Sequence, residues 1–78
     1  MTKIEILGTG CAKCKRLFAN AEQAVKDLKI TADVIKVEDL DEIVNRGVML
    51  TPALFINDEV RAEGRVPCVD EIKTMLME

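Results

Sequence analysis

Thr2-Lys3-Ile4-Glu5-Ile6-Leu7-Gly8-Thr9-Gly10-Cys11-Ala12-Lys13-Cys14-Lys15-Arg16-Leu17-Phe18 is the stretch on which the fold turns. Lys3, Ile4, Glu5 and Ile6 alternate polar and apolar, the period of a strand, and Gly8-Thr9-Gly10 stops it. The period then changes. Cys14, Leu17, Phe18, Ala21, Val25 and Leu28 recur at helical steps, which predicts a helix over about Ala12–Lys29. Cys11 and Cys14 therefore fall where a strand ends and a helix begins. A thiolate at a helix N-terminus faces unpaired N–H groups and the positive end of the dipole, which lowers its pKa. Lys13, Lys15 and Arg16 add positive charge there, Lys13 as a supporting residue within the motif. Cys14 follows one turn later, near enough to form a disulfide with Cys11. The chemistry this favours is a dithiol couple. Cys11 attacks a partner disulfide as the thiolate, a mixed disulfide forms, and Cys14 resolves it. The plainer alternative, two buried cysteines serving as small hydrophobes, fits poorly with a Gly-rich loop at Cys11.

Outward from this unit the pattern continues. Ala32–Val37 reads as a second strand, β-branched and short. Asp39 and Glu42 have capping-box spacing, with Leu40, Ile43 and Val44 as the helical stripe and Gly47 as the stop. After Thr51-Pro52, the apolar run Ala53–Ile56 suits a central strand buried on both faces. Asn57-Asp58 is a two-residue hairpin turn, and Val60–Glu63 returns from it. Pro67 fits the first residue of a last helix, with Val69, Ile72, Leu76 and Met75 inward. The order β-α-β-α-β-β-α predicts an α/β fold, a mixed four-stranded sheet flanked by helices, over a single domain of residues 1–78.

Composition narrows the function. With 78 residues the core is small, and a net charge of −3 gives no electrostatic footprint for nucleic acid or an anionic membrane. Histidine is absent, which removes Ser-His and Cys-His catalysis and His-containing metal sites. Trp and Tyr are absent too, so base-stacking surfaces are few. No signal-peptide core and no membrane-length apolar run is visible, so the expected compartment is the cytoplasm, where thiols stay reduced. Three cysteines there are better read as chemistry than as a disulfide scaffold.

These residues carry a resemblance. Over nearly its whole length the chain resembles the very small thioredoxin-like, redox-active disulfide proteins of archaea and bacteria. The match rests on Gly8-Thr9-Gly10-Cys11-Ala12-Lys13-Cys14, Thr51-Pro52 and Gly64-Arg65-Val66-Pro67. The resemblance implies a thioredoxin-like fold and a thiol-disulfide oxidoreductase that exchanges with protein disulfides. It implies that the Cys11–Cys14 disulfide itself is the redox group, with no added cofactor and no metal. The implied partners are disulfide-containing proteins and a reductase, the protein being a monomer. Pro52 would be the cis proline facing the disulfide; base rates for an isolated X-Pro bond favour trans, and the family context reverses them. Thr51 would offer backbone hydrogen bonds to an extended substrate segment, with Gly64 nearby in the substrate-binding region. The chain also departs from familiar thioredoxins. It has Gly10 where they carry Trp, and Ala12-Lys13 where they carry Gly-Pro. Glu5 is the only carboxylate upstream of the motif, so general-base help for Cys14 is not assigned.

Three other readings remain. Small soft-metal carriers, of the Cu(I) type, also place a CxxC between a first strand and helix, but in a ferredoxin-like order that ends in a strand. Structural zinc would need a fourth ligand beyond the three cysteines. Cys68, beside Pro67 at a helix start, reads either as a semi-buried cysteine packed near Val66 and Val69 or as a regulatory thiol. Gly64, Asp70 and Glu71 partly echo a glutathione-binding helix start. Met49, Met75, Met77 and Leu76 read as core and chain end, and Phe18 and Phe55 as core.

Overall fold

Residues 2–78 are described by a computed structural model. β1 (Thr2–Leu7) and β2 (Ala32–Val37) are parallel and are joined through α1 (Ala12–Leu28). After α2 (Leu40–Asn45) come β3 (Ala53–Ile56), antiparallel to β1, and β4 (Glu59–Glu63), antiparallel to β3. α3 (Val69–Met77) closes the chain, and the sheet order is β2-β1-β3-β4. The Asn57-Asp58 turn has positive φ at both residues, 51° and 68°, as a primed hairpin turn requires.

Strand alternation splits the core in two. Ile4 and Ile6 of β1 join Leu17, Ala21 and Ala24 of α1, Leu54 and Ile56 of β3, and Ile72 and Met75 of α3. Leu7, Ala53 and Phe55 face the other way, onto Ile43 of α2 and Val48. Each fully buried Ile or Leu contributes about 1.5–3 kcal/mol of apolar burial, so the larger cluster supplies most of the drive. The small side chains Ala21 and Ala24 let α1 lie close to the sheet and to α3.

Several local expectations shift. α1 ends at Leu28, with Lys29 as a left-handed cap (φ 54°). In α2 only Ile43 is buried; Leu40 and Val44 are 63% and 68% exposed. A helix of six residues presents a single inward position, and Val48 beyond Gly47 fills the remaining space. Asp39 caps α2 by accepting from the N–H groups of Asp41 and Glu42, but the Glu42 side chain accepts from Arg46 instead of closing the box. α3 begins at Val69 with Cys68 as its cap, so Pro67 lies one residue outside the helix. Asn20 of α1 donates to the Pro67 carbonyl at 3.0 Å, which ties the chain to α1 just before the helix starts. Met49 and Met77 are exposed and belong to no core.

Candidate functional site

Cys11 is the N-cap of α1, with φ −70° and ψ 173°, and its side chain is exposed. Cys14, the third helical residue, points into the protein and is 5% exposed. Both are free thiols, with Sγ atoms 3.2 Å apart, within hydrogen-bonding reach. The two thiols are driven in opposite directions. The backbone N–H of Cys14, then the Cys14 thiol, hold the Cys11 thiol below its ordinary pKa. Burial first, then the hydrogen bond to Cys11, pushes the Cys14 thiol up. The exposed sulfur is thus the better thiolate and the buried one holds its proton. Lys13 contributes through its backbone N–H, which also favours the Cys11 thiolate; its side chain lies in solvent.

Gly8 sets the space around Cys14. A Cβ at this position would collide with the Cys14 Sγ and would come within 3.8 Å of the Pro52 Cα. Only glycine leaves room for the end of β1, the buried sulfur and the proline to meet. The sequence marks Gly8 as a turn residue, and its steric role becomes visible only once the elements are packed. Gly10 has φ +83°, and a Cβ there would lie 2.8 Å from a Glu38 carboxylate oxygen. A cavity of about 90 Å³ adjoins Cys14 and is lined by Ile6, Gly8, Gly10, Lys15, Lys36 and Glu38. Glu38 and Lys36 are residues that sequence reasoning missed, because they come from the end of β2 and just beyond it.

The Thr51–Pro52 peptide is cis, and Pro52 is fully buried. Thr51 is exposed beside it. The N–H of Gly64 (φ +74°) donates to the Pro52 carbonyl at 2.9 Å, so Gly64 serves the fold of this loop through its backbone. Cys68 is the N-cap of α3 and is exposed, not semi-buried beside Val66 and Val69.

Glu5 does not reach the cysteines. It shares the α2 side of the sheet with Leu7, and Arg46 grips its carboxylate with two hydrogen bonds, 3.0 and 2.6 Å. That guanidinium, with Lys3 adding a smaller electrostatic pull, keeps the Glu5 carboxyl below its ordinary range despite burial. Glu5 is thereby a structural charge, a tie between β1 and the end of α2. Among the described residues, no group of three or more Cys, Asp or Glu side chains converges as a metal cluster would. The chain ends in helix α3 and carries α2 between β2 and β3, unlike the ferredoxin-like order of the soft-metal carriers.

An exposed thiol at a helix cap, a buried thiol one turn on and a cis proline that meets the buried thiol around Gly8 make a thioredoxin-like arrangement. A family model described as "Thioredoxin domain" matches residues 2–77. The chain is 43% identical to a thioredoxin of Methanothermobacter thermautotrophicus over 76 residues, 97% of this chain and 99% of that one. It is 42% identical to a thioredoxin of Methanocaldococcus jannaschii over 76 residues, 97% and 87% of the two chains. The chain belongs to the thioredoxin family and is a thiol-disulfide oxidoreductase.

Proposed function

We propose that the chain exchanges electrons with protein disulfides through the Cys11–Cys14 pair, with no further cofactor. The observation that carries this reading is the pair's asymmetry, an exposed thiol lowered in pKa and a buried thiol raised, 3.2 Å apart. The Cys11 thiolate attacks one sulfur of the partner's disulfide. A Cys11–partner S–S bond forms, the partner's own S–S bond breaks, and the departing thiolate takes a proton from solvent. Cys14 then gives up its proton and attacks the Cys11 sulfur, which releases the second partner thiol and leaves the Cys11–Cys14 disulfide. Two electrons have passed from this protein to the partner. A separate reductase, reacting in the reverse sense, restores the dithiol.

Thr51 is exposed and precedes the cis Pro52, whose Cα lies with the Cys14 Sγ around Gly8. This supports a role for the Thr51 backbone in pairing with an extended partner segment, the mode in which a strand adds to a free edge. Reliance on reduced thiols fits a reducing compartment such as the cytoplasm. Among the described residues no helix is long and apolar enough to cross a membrane.

Trapping tests the roles. With a protein disulfide such as insulin, Cys14→Ser is expected to accumulate a mixed disulfide through Cys11, seen by non-reducing electrophoresis and peptide mass spectrometry. Cys11→Ser is expected to trap none and to lose turnover by about a thousandfold or more, as removal of a nucleophile does. Equal trapping by both variants would reverse or dissolve the assignment.

A further inference from the structure

The connection from α2 to β3 has no regular structure, yet it carries Thr51 and Pro52 to the cysteines. Its tip is unusual. Met49 and Leu50 are 88% and 63% exposed, two large apolar side chains in water just before the cis proline. Nothing in the core fixes them, so the backbone there must be held from outside.

The end of β4 holds it. One carboxylate oxygen of Glu63, Oε2, accepts from the N–H of Met49 at 2.8 Å and from the N–H of Leu50 at 3.2 Å. The next residue, Gly64, donates its N–H to the Pro52 carbonyl at 2.9 Å. The Leu50 side chain lies over Gly64, where a Cβ would come 3.0 Å from the Leu50 Cβ. Glu63, the last residue of β4, and Gly64 just beyond it thus grip the loop before and after Thr51, and Thr51 spans the interval.

We infer that Glu63 is a positioning residue for exchange with protein disulfides. Its carboxylate presets the Met49–Leu50 backbone, so that Thr51 meets a partner segment in a fixed conformation with the two apolar side chains beside it. The inference rests on the proposed use of Thr51 by protein substrates. Its physical basis is preorganisation: a loop already ordered spares the complex the entropy of ordering it. A charged acceptor serving two N–H groups is also the stronger kind of hydrogen bond. Glu63 is itself exposed, so its loss removes little from the core. A small disulfide that touches only the sulfur has no use for the loop.

The test is steady-state kinetics on the full chain with dithiothreitol as reductant, using insulin and a small aromatic disulfide as substrates. Glu63→Ala is expected to raise KM for insulin about fivefold to tenfold with kcat within about twofold, and to leave the small disulfide's rate unchanged. Glu63→Gln keeps an acceptor oxygen and is expected to recover most of the loss. Amide hydrogen exchange at Met49 and Leu50 is expected to quicken in Glu63→Ala while the exchange of β1 and β3 stays as it was. An unchanged KM, or equal losses with both substrates, overturns the inference. If quickened exchange spreads through the sheet, Glu63 is a structural residue and the inference falls as well. Wild-type protein that turns over the small disulfide but not insulin would instead overturn the reading on which it rests.

Discussion

Cys11 and Cys68 occupy the same backbone position on two different helices. Each is the N-cap, with φ and ψ of −70° and 173° for Cys11 and −75° and 169° for Cys68. Both thiols are exposed, and neither makes a side-chain cap hydrogen bond. What differs is the next turn. Three residues after Cys11 stands Cys14, buried and 3.2 Å away; three residues after Cys68 stands Glu71, bound to Arg65 at 2.7 Å. The first turn of α1 has no acidic residue, whereas that of α3 has Asp70 and Glu71. Glycine space and a proline adjoin the first site, through Gly8 and Pro52. A helix N-terminus is therefore not enough to make a redox centre. On the proposed reading, the couple comes from a second thiol of opposite character, one turn on, in a space kept open for it.

The largest effect short of removing a cysteine is expected from closing that space. In Gly8→Ala the new Cβ meets the Cys14 Sγ, and the sulfur must rotate away from Cys11 or push β1 from Pro52. Overpacking of this kind costs about 1–3 kcal/mol, and spent on the resolving step that is roughly a tenfold loss of rate. Stopped-flow kinetics with a protein disulfide should show the mixed disulfide accumulating before release. Turnover within twofold of wild type would show that Cys14 tolerates more freedom than the comparison allows.

Gly8 also shows where the sequence stops being legible. The strand-helix unit, the hairpin turn and the cysteine pair follow from periodicity and turn chemistry over a few neighbouring residues, and the structure has all three. The apolar stripe of α2 and the start of α3 are not legible in this way, because each depends on tertiary packing. Ile43 and Val48 fill the second core cluster while Leu40 and Val44 stay in solvent, and Asn20 of α1 binds the Pro67 carbonyl just before α3. The placement of the two cysteines is legible for the same reason as the fold, since cap and turn are local. Glu38, Lys36 and Glu63 are not, because each comes from within or just beyond a strand far away in sequence and no local pattern marks them.

The comparison sharpens if the missing thiol is supplied. Glu71→Cys puts a second cysteine at the third residue of α3, the position Cys14 holds on α1. The helix geometry is the same, so a reversible bond between Cys68 and position 71 is expected in graded dithiothreitol buffers, located by alkylation and mass spectrometry. Its turnover with insulin, measured in a Cys11→Ser background, is expected to stay below about a tenth of the natural pair's, because the cis-proline loop packs with Gly8 beside Cys14. Failure of the bond to form would mean that the turn geometry alone does not make a couple. Turnover equal to the natural pair would mean that the Thr51–Pro52 loop contributes nothing.

The smallest effect is expected where the two caps differ most in company. Cys68→Ser removes an exposed thiol that has no second cysteine within its turn and is not among the buried core residues. Serine is also a better N-cap than cysteine, since its hydroxyl can accept from the free N–H groups of the first turn. The chain is therefore expected to keep Cys11–Cys14 turnover within about twofold and to gain a few tenths of a kcal/mol in stability at most, read by urea unfolding. A tenfold loss of turnover would bring Cys68 into the exchange reaction. It would also mean that two caps of identical backbone, one beside a second thiol and one beside a carboxylate, cooperate in a single site.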